Sequence, residues 1–172
     1  MSSEGRYYGK YRGVVLNNID PMQIGRLQVQ APDVAGLIPT SWAMPCFPVT
    51  GKQMGMWCIP QIGTGVWVEF EQGNPDHPIW SGCWYGSVAE VPAIALLTQP
   101  PLSSVIAQTA TQHVFQLSDL PGPTGGILLK TPLGAFISIN DATGIQIFDG
   151  KGGMISMIGG VVTVNQGALL IK

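Results

Sequence analysis

Hydrophobic and polar positions alternate with a period of two along most of this chain, and no stretch holds the 3.6-residue period of an amphipathic helix. Tyr7 to Leu16 is rich in β-branched and aromatic residues and ends in the turn signal Asn17-Asn18-Ile19-Asp20-Pro21. Gly25 to Gln30 alternates and stops at Pro32. Trp42 to Cys46 and Met56 to Ile59 read as strands around the turn Thr50-Gly51-Lys52. Val66 to Glu71 alternates again, with Val66, Val68 and Phe70 on one face and Glu69 and Glu71 on its solvated side. After the turn Gln72-Gly73-Asn74-Pro75, a last strand runs from Pro78 to Tyr85.

Short strands in this density, without a helix between them, predict a small Greek-key barrel of the OB type over residues 1–86. Composition then changes twice. Residues 87–111 read as a Pro/Ala/Thr/Ser/Gln-rich connector in which Pro92, Pro100 and Pro101 block any long helix. Residues 112–172 contain no Trp, Tyr or Cys and carry a weak repeat of strands separated by glycine corners, with a period of about 7–10 residues, as in β-solenoids and β-prisms. The fold class is therefore all-β.

One apolar row runs through the repeat: Ile127, Leu129, Ile137, Ile139, Ile145, Ile147, Ile155, Met157, Val162 and Val164. So short a repeat has no interior of its own in which to hide such a row. Three copies wound into an intertwined trimeric β-helix would bring the rows together on a common axis and close the open strand edges. The opposite face mixes Phe136, Phe148, Ile158 and Val161 with Ser138, Asn140, Gln146 and Thr163, so alternation alone does not say which face is axial.

Charge supports an assembly. Asp, Glu, Lys and Arg make up 10% of the chain and hydrophobic residues 45%, against roughly 25% charged in ordinary soluble proteins. Such a surface is best covered by other chains. The net charge of −2 and the scattered basic residues give no field for a nucleic acid or an anionic membrane. The residues after Met1 lack a signal-peptide core, and no apolar run nears the roughly 20 residues of a membrane helix. Synthesis in the cytoplasm without a signal peptide is the expectation. Cys46, Cys58 and Cys83 lack paired metal-ligand spacing, so they read as reduced, half-buried apolar side chains rather than a zinc site with His77. No cofactor is expected.

The segment from Gly65 to Gly86 (GVWVEFEQGNPDHPIWSGCWYG) resembles the OB domain of phage baseplate assembly protein V, a family that includes type VI secretion spikes of the valine-glycine repeat protein G kind. Its motif falls on Phe70, Gly73, Asn74, Pro75, Pro78 and Gly82. Upstream, Tyr11 to Val15, Asp20-Pro21, Gly25-Arg26-Leu27 and Val29 are similar to its opening strands, and the segment from His113 to Asp119 resembles the start of its trimeric β-helix. The resemblance implies a structural homotrimeric spike of a phage tail, phage-like toxin injector or type VI-like apparatus. It implies docking on a baseplate hub, assembly into a virion tail or extracellular particle, and transient contact with a target envelope. The short connector leaves no room for the lysozyme domain of some large spikes, and no His-x-His tip motif is present. A separate PAAR-like tip protein is expected on Leu169, Leu170, Ile171 and Lys172, with effector cargo as a further partner.

Other classes read less well. Asp76 and His77 sit side by side in a turn, where neighbours do not converge as a catalytic dyad, so no catalytic residue is assigned. An OB-fold can bind single-stranded nucleic acid or oligosaccharide, with Trp42, Trp57, Trp67, Trp80 and Trp84 as stacking platforms, but eight Lys and Arg against ten Asp and Glu make no electrostatic groove. A trimeric fibre adhesin would share the β-repeat but add a receptor-binding head.

Overall fold

A computed structural model describes residues 5–171 and divides them into two compact units, one ending at Glu90 and the other beginning at Val91. The first unit contains β1 (Tyr11–Asn17), β2 (Gln28–Gln30), the one-turn helix α1 (Pro32–Ala35), β3 (Met44–Pro45), β4 (Thr50–Gly51), β5 (Met54–Gly55), β6 (Gly65–Phe70) and β7 (Pro78–Trp84). A five-stranded sheet has the order β2-β1-β6-β7-β3, antiparallel except where β3 runs parallel to β7, and β4 and β5 form a separate hairpin.

Alternation in β6 places Val66, Val68 and Phe70 inward. They meet Val15, Leu27, Val29, Ala43 and Trp80 in a single core, with Tyr7, Tyr11, Val34, Phe47 and Ile59 packed around it. Trp80 keeps its indole N–H satisfied by donating to the Gly25 carbonyl at 3.0 Å. On the outer face, the Arg12 guanidinium lies over both Trp67 and Trp84, 5.8 and 5.1 Å from the ring centroids. Trp84 lies so close over Gly65 that a Cβ there would stand 2.6 Å from the indole.

Asp20 organises the loop between β1 and β2. Its carboxylate accepts from the Arg26 guanidinium at 2.7 and 3.0 Å, and from the backbone N–H groups of Met22, Ile24 and Arg26 at 3.0 to 3.1 Å. The Arg26 contact, then the backbone donors, hold this carboxyl well below the usual range despite its burial.

The second unit is one antiparallel meander of eight strands in chain order: β8 (Ser104–Gln108), β9 (Val114–Ser118), β10 (Gly126–Lys130), β11 (Phe136–Asn140), β12 (Gly144–Phe148), β13 (Met154–Ile158), β14 (Val161–Val164) and β15 (Leu169–Ile171). Side-chain caps shape its corners. Asn140 Oδ1 accepts from the N–H groups of Ala142 and Thr143, and Asp149 Oδ1 from those of Lys151 and Gly153.

Three expectations change. Met56 to Ile59 forms no strand, because the chain pairs earlier, at Thr50–Gly51 and Met54–Gly55. Residues 87–111 contain β8, whose Val105 and Ala107 alternate beneath a Pro- and Ser-rich composition. The three cysteines are exposed rather than half-buried, since they sit outside the core cluster. Of the expected tip-protein seat, Leu169, Leu170 and Ile171 form β15, and Lys172 lies outside the described residues.

Candidate functional site: an uncovered apolar face

Each strand of the second unit presents alternate residues to opposite faces, so the register decides which side chains form columns. One column follows Val105, Leu117, Ile127, Ile139, Ile145, Met157 and Val162, each directly opposite the next. Beside it run Ala107, Phe115, Leu129, Ile137, Ile147, Ile155 and Val164. All ten residues expected on an axis lie on these two columns, on one face of one sheet. Val105, Ala107, Phe115 and Leu117 extend the face and were not part of the expected set, although Val105/Ala107 and Phe115/Leu117 each alternate in the sequence.

The face is open. Ile127, Leu129, Ile137, Ile139, Ile147 and Ile155 are each between 40% and 46% exposed. Contiguous apolar surface of this kind on a soluble protein marks an interaction site.

The opposite face differs at its centre. There the register stacks Ile106, Gln116, Leu128, Ser138, Gln146, Ser156 and Thr163. Gln116 and Ser138 are buried within the unit itself, at 2% and 7% exposure. Gln116 donates through Nε2 to the Thr124 carbonyl, and Phe136 and Phe148 pack at 5.5 Å along one margin.

In the first unit the motif residues build a turn. Phe70 enters the core and Pro78 opens β7 fully buried. Gly73 has φ +76° and lies against Tyr8, with its carbonyl accepting from the Tyr7 N–H at 2.9 Å. Asn74 Oδ1 caps the Asp76 N–H, Pro75 occupies the turn, and Gly82 at φ +135° lies where β7 shifts register against β6. His77 Nδ1 stands 3.7 Å from Glu71 Oε2 with both side chains more than half exposed. The Asp76 and His77 pair thus belongs to turn geometry.

The tryptophans divide among several roles. Trp80 is core, Trp67 and Trp84 hold Arg12, Trp42 faces the Arg26 guanidinium, and Trp57 is exposed beside Phe47. Among the described residues, no group of three or more His, Cys, Asp or Glu is placed to hold a metal ion, and no helix is long and apolar enough to cross a membrane.

Two family models match the chain. That of the type VI secretion system and phage-baseplate injector OB domain matches residues 11–85, and that of the phage baseplate V C-terminal trimerisation domain matches residues 104–170. Over 75 residues the chain is 35% identical to the type VI secretion system spike protein VgrG5 of Pseudomonas aeruginosa. That match takes in 44% of this chain and 8% of the relative, so the chain corresponds to a small part of that protein's length. With an OB barrel followed by a trimerisation domain, this chain belongs to the phage baseplate V and type VI injector spike family.

Proposed function

We infer that three copies of this chain form the central spike of a contractile injection machine and that the role is mechanical. The observation that carries the reading is the pair of open apolar columns that runs from β8 to β14 of the second unit. Ile127, Leu129, Ile137, Ile139, Ile145, Ile147, Ile155, Met157, Val162 and Val164 would meet their copies on the trimer axis. Such burial stabilises an oligomer by roughly 25 cal/mol per Å² of apolar surface removed from water.

In this reading the OB barrels dock on a hub at the end of the tail tube, and the joined sheets carry axial force to a target envelope when the sheath contracts. A PAAR-like protein would sit on the far end, with β15 as its seat, and effector cargo would travel with the assembly. Spike family membership supports assembly in a phage tail or an injection particle.

The test is the native mass of the purified full chain, followed by the composition of the particle that contains it. A trimer at micromolar concentration, found beside a hub and tube protein, is the expected result. A folded, soluble single chain at that concentration overturns the reading.

A further inference from the structure

Cys58 and Cys83 are far apart in sequence but line the same cleft of the first unit, with Pro60, Ile62, Trp84 and Tyr85. Both cysteines are exposed as residues, while the Cys83 thiol itself is partly buried. The backbone frames the pair from two sides. Cys83 stands directly opposite the fully buried Val66 in the β6–β7 ladder. The segment after Cys58 is tied to β1 and the residue that follows it, where the Gly63 N–H donates to the Val15 carbonyl at 2.8 Å and the Pro60 carbonyl accepts from Asn18 Nδ2 at 2.9 Å. Neither cysteine serves the core, and Cys46 is absent from this cleft.

We propose that Cys58 and Cys83 are a redox pair that closes to an intramolecular disulfide across this cleft when the protein leaves a reducing compartment. The oxidant is a low-molecular-weight disulfide such as oxidised glutathione. The Cys58 thiolate attacks it, forming a mixed disulfide and releasing one small thiol. The Cys83 thiolate then attacks the Cys58 sulfur, forming the protein disulfide and releasing the second thiol. The two cysteines lose two protons and two electrons, and the small disulfide is reduced to two thiols.

The chemistry of the site sets the pace. Burial first, and then the nearby Cys58 thiolate, push the Cys83 thiol up from its ordinary value. In the mixed disulfide the Cys58 charge is gone and partial burial is what still holds Cys83 up, so the second step accelerates as the pH rises and Cys83 ionises. Once closed, the bond would tie the segment before β6 to β7 and restrict the unfolded chain between them. The proposal is independent of the spike reading, because every group it needs lies in the first unit.

The experiment treats the folded full chain with oxidised glutathione at neutral and alkaline pH, alkylates the remaining thiols, and maps the peptides by mass. The expected product is a Cys58–Cys83 linked peptide with Cys46 alkylated, formed faster at the higher pH, and a thermal midpoint above that of the reduced protein. Cys83→Ser should leave Cys58 as a lasting mixed disulfide with glutathione, and Cys46→Ser should leave closure unchanged. Separate glutathione adducts on both cysteines of the wild-type chain, linkage through Cys46, or links only between chains would each overturn the proposal. Native mass measured alongside separates this outcome from the fate of the trimer.

Discussion

Gln146 and Ile147 are neighbours on β12 that point to opposite faces of the trimerisation sheet, so the same substitution at each separates the two faces. In Ile147→Glu, the first loss is burial. Full burial of such a side chain is worth about 1.5–3 kcal/mol. Ile147 is 41% exposed in the single chain, so completing its burial contributes about 0.6–1.2 kcal/mol per copy by the same scale. The larger loss is repulsion. Three carboxylates brought together near an axis make three like-charge pairs, each roughly 4 kcal/mol at about 4 Å in a protein-like dielectric. With about 1.4 kcal/mol per factor of ten, the total removes on the order of ten decades of association. Native mass spectrometry or sedimentation at micromolar concentration should show dispersed chains for Ile147→Glu and trimers for Gln146→Glu. Acidification below the carboxylate range, about pH 4, should restore trimers of Ile147→Glu, because a neutral carboxyl leaves only the smaller burial loss. A trimer of Ile147→Glu persisting at neutral pH, or equal dissociation of both variants, would refute the inward placement of the isoleucine face.

Other expected outcomes follow from the first unit and from an exposed corner. Asp20 is held in its charged form by Arg26 and three backbone donors, so its folded pKa is depressed. The stability it contributes is full above the ordinary carboxylate value of about 3.9 and is lost as the pH falls below it; Asp20→Asn should lower the thermal midpoint at neutral pH and flatten its acid dependence. Leu27→Ala empties a fully buried position and should destabilise the barrel by about 2–5 kcal/mol in denaturant titration. Gly65→Ala forces the Trp84 indole to shift, with an expected loss of about 1–3 kcal/mol and altered tryptophan fluorescence. Leu133→Asp, at a corner position 91% exposed, should leave the native mass unchanged.

Period-two alternation made most of the fold legible. Alternation and the glycine corners predict strands at Phe136–Asn140, Ile145–Phe148, Ile155–Ile158 and Val161–Val164, and β11 through β14 match them to within one residue at each end, because each corner carries a glycine or Asx cap that stops the ladder. β8 was hidden because Pro100, Pro101 and the surrounding Ser and Thr residues masked five alternating positions. The segment from Met56 to Ile59 misled for the opposite reason. Its hydrophobic residues signal a strand, yet Met56 and Trp57 are exposed at 62% and 64% and pair with nothing in the sheet. Alternation also named the apolar row without saying which face it opposed. The missing information was register, since only cross-strand pairing shows that Ile127, Ile139, Ile145 and Met157 form one continuous column.

That register also bears on which face turns inward. A five-residue strand gives two side chains to one face and three to the other, and in β11 to β13 the pair is Ile137/Ile139, Ile145/Ile147 and Ile155/Met157. The centre of the other face is Ser138, Gln146 and Ser156. Turning that column onto a shared apolar axis would strip the remaining water from Gln146 and Ser156 and leave the isoleucines uncovered, losing free energy twice. The opposite arrangement covers the isoleucines and keeps the polar column with its own chain, where Gln116 and Ser138 are already buried. A chain that is 10% charged has few groups with which to keep such a face soluble alone. The composition of the whole chain and the geometry of one sheet therefore lead to the same expectation: the isoleucine face is the one to be covered, and in the trimer proposed above symmetry-related copies would present this same face to one another.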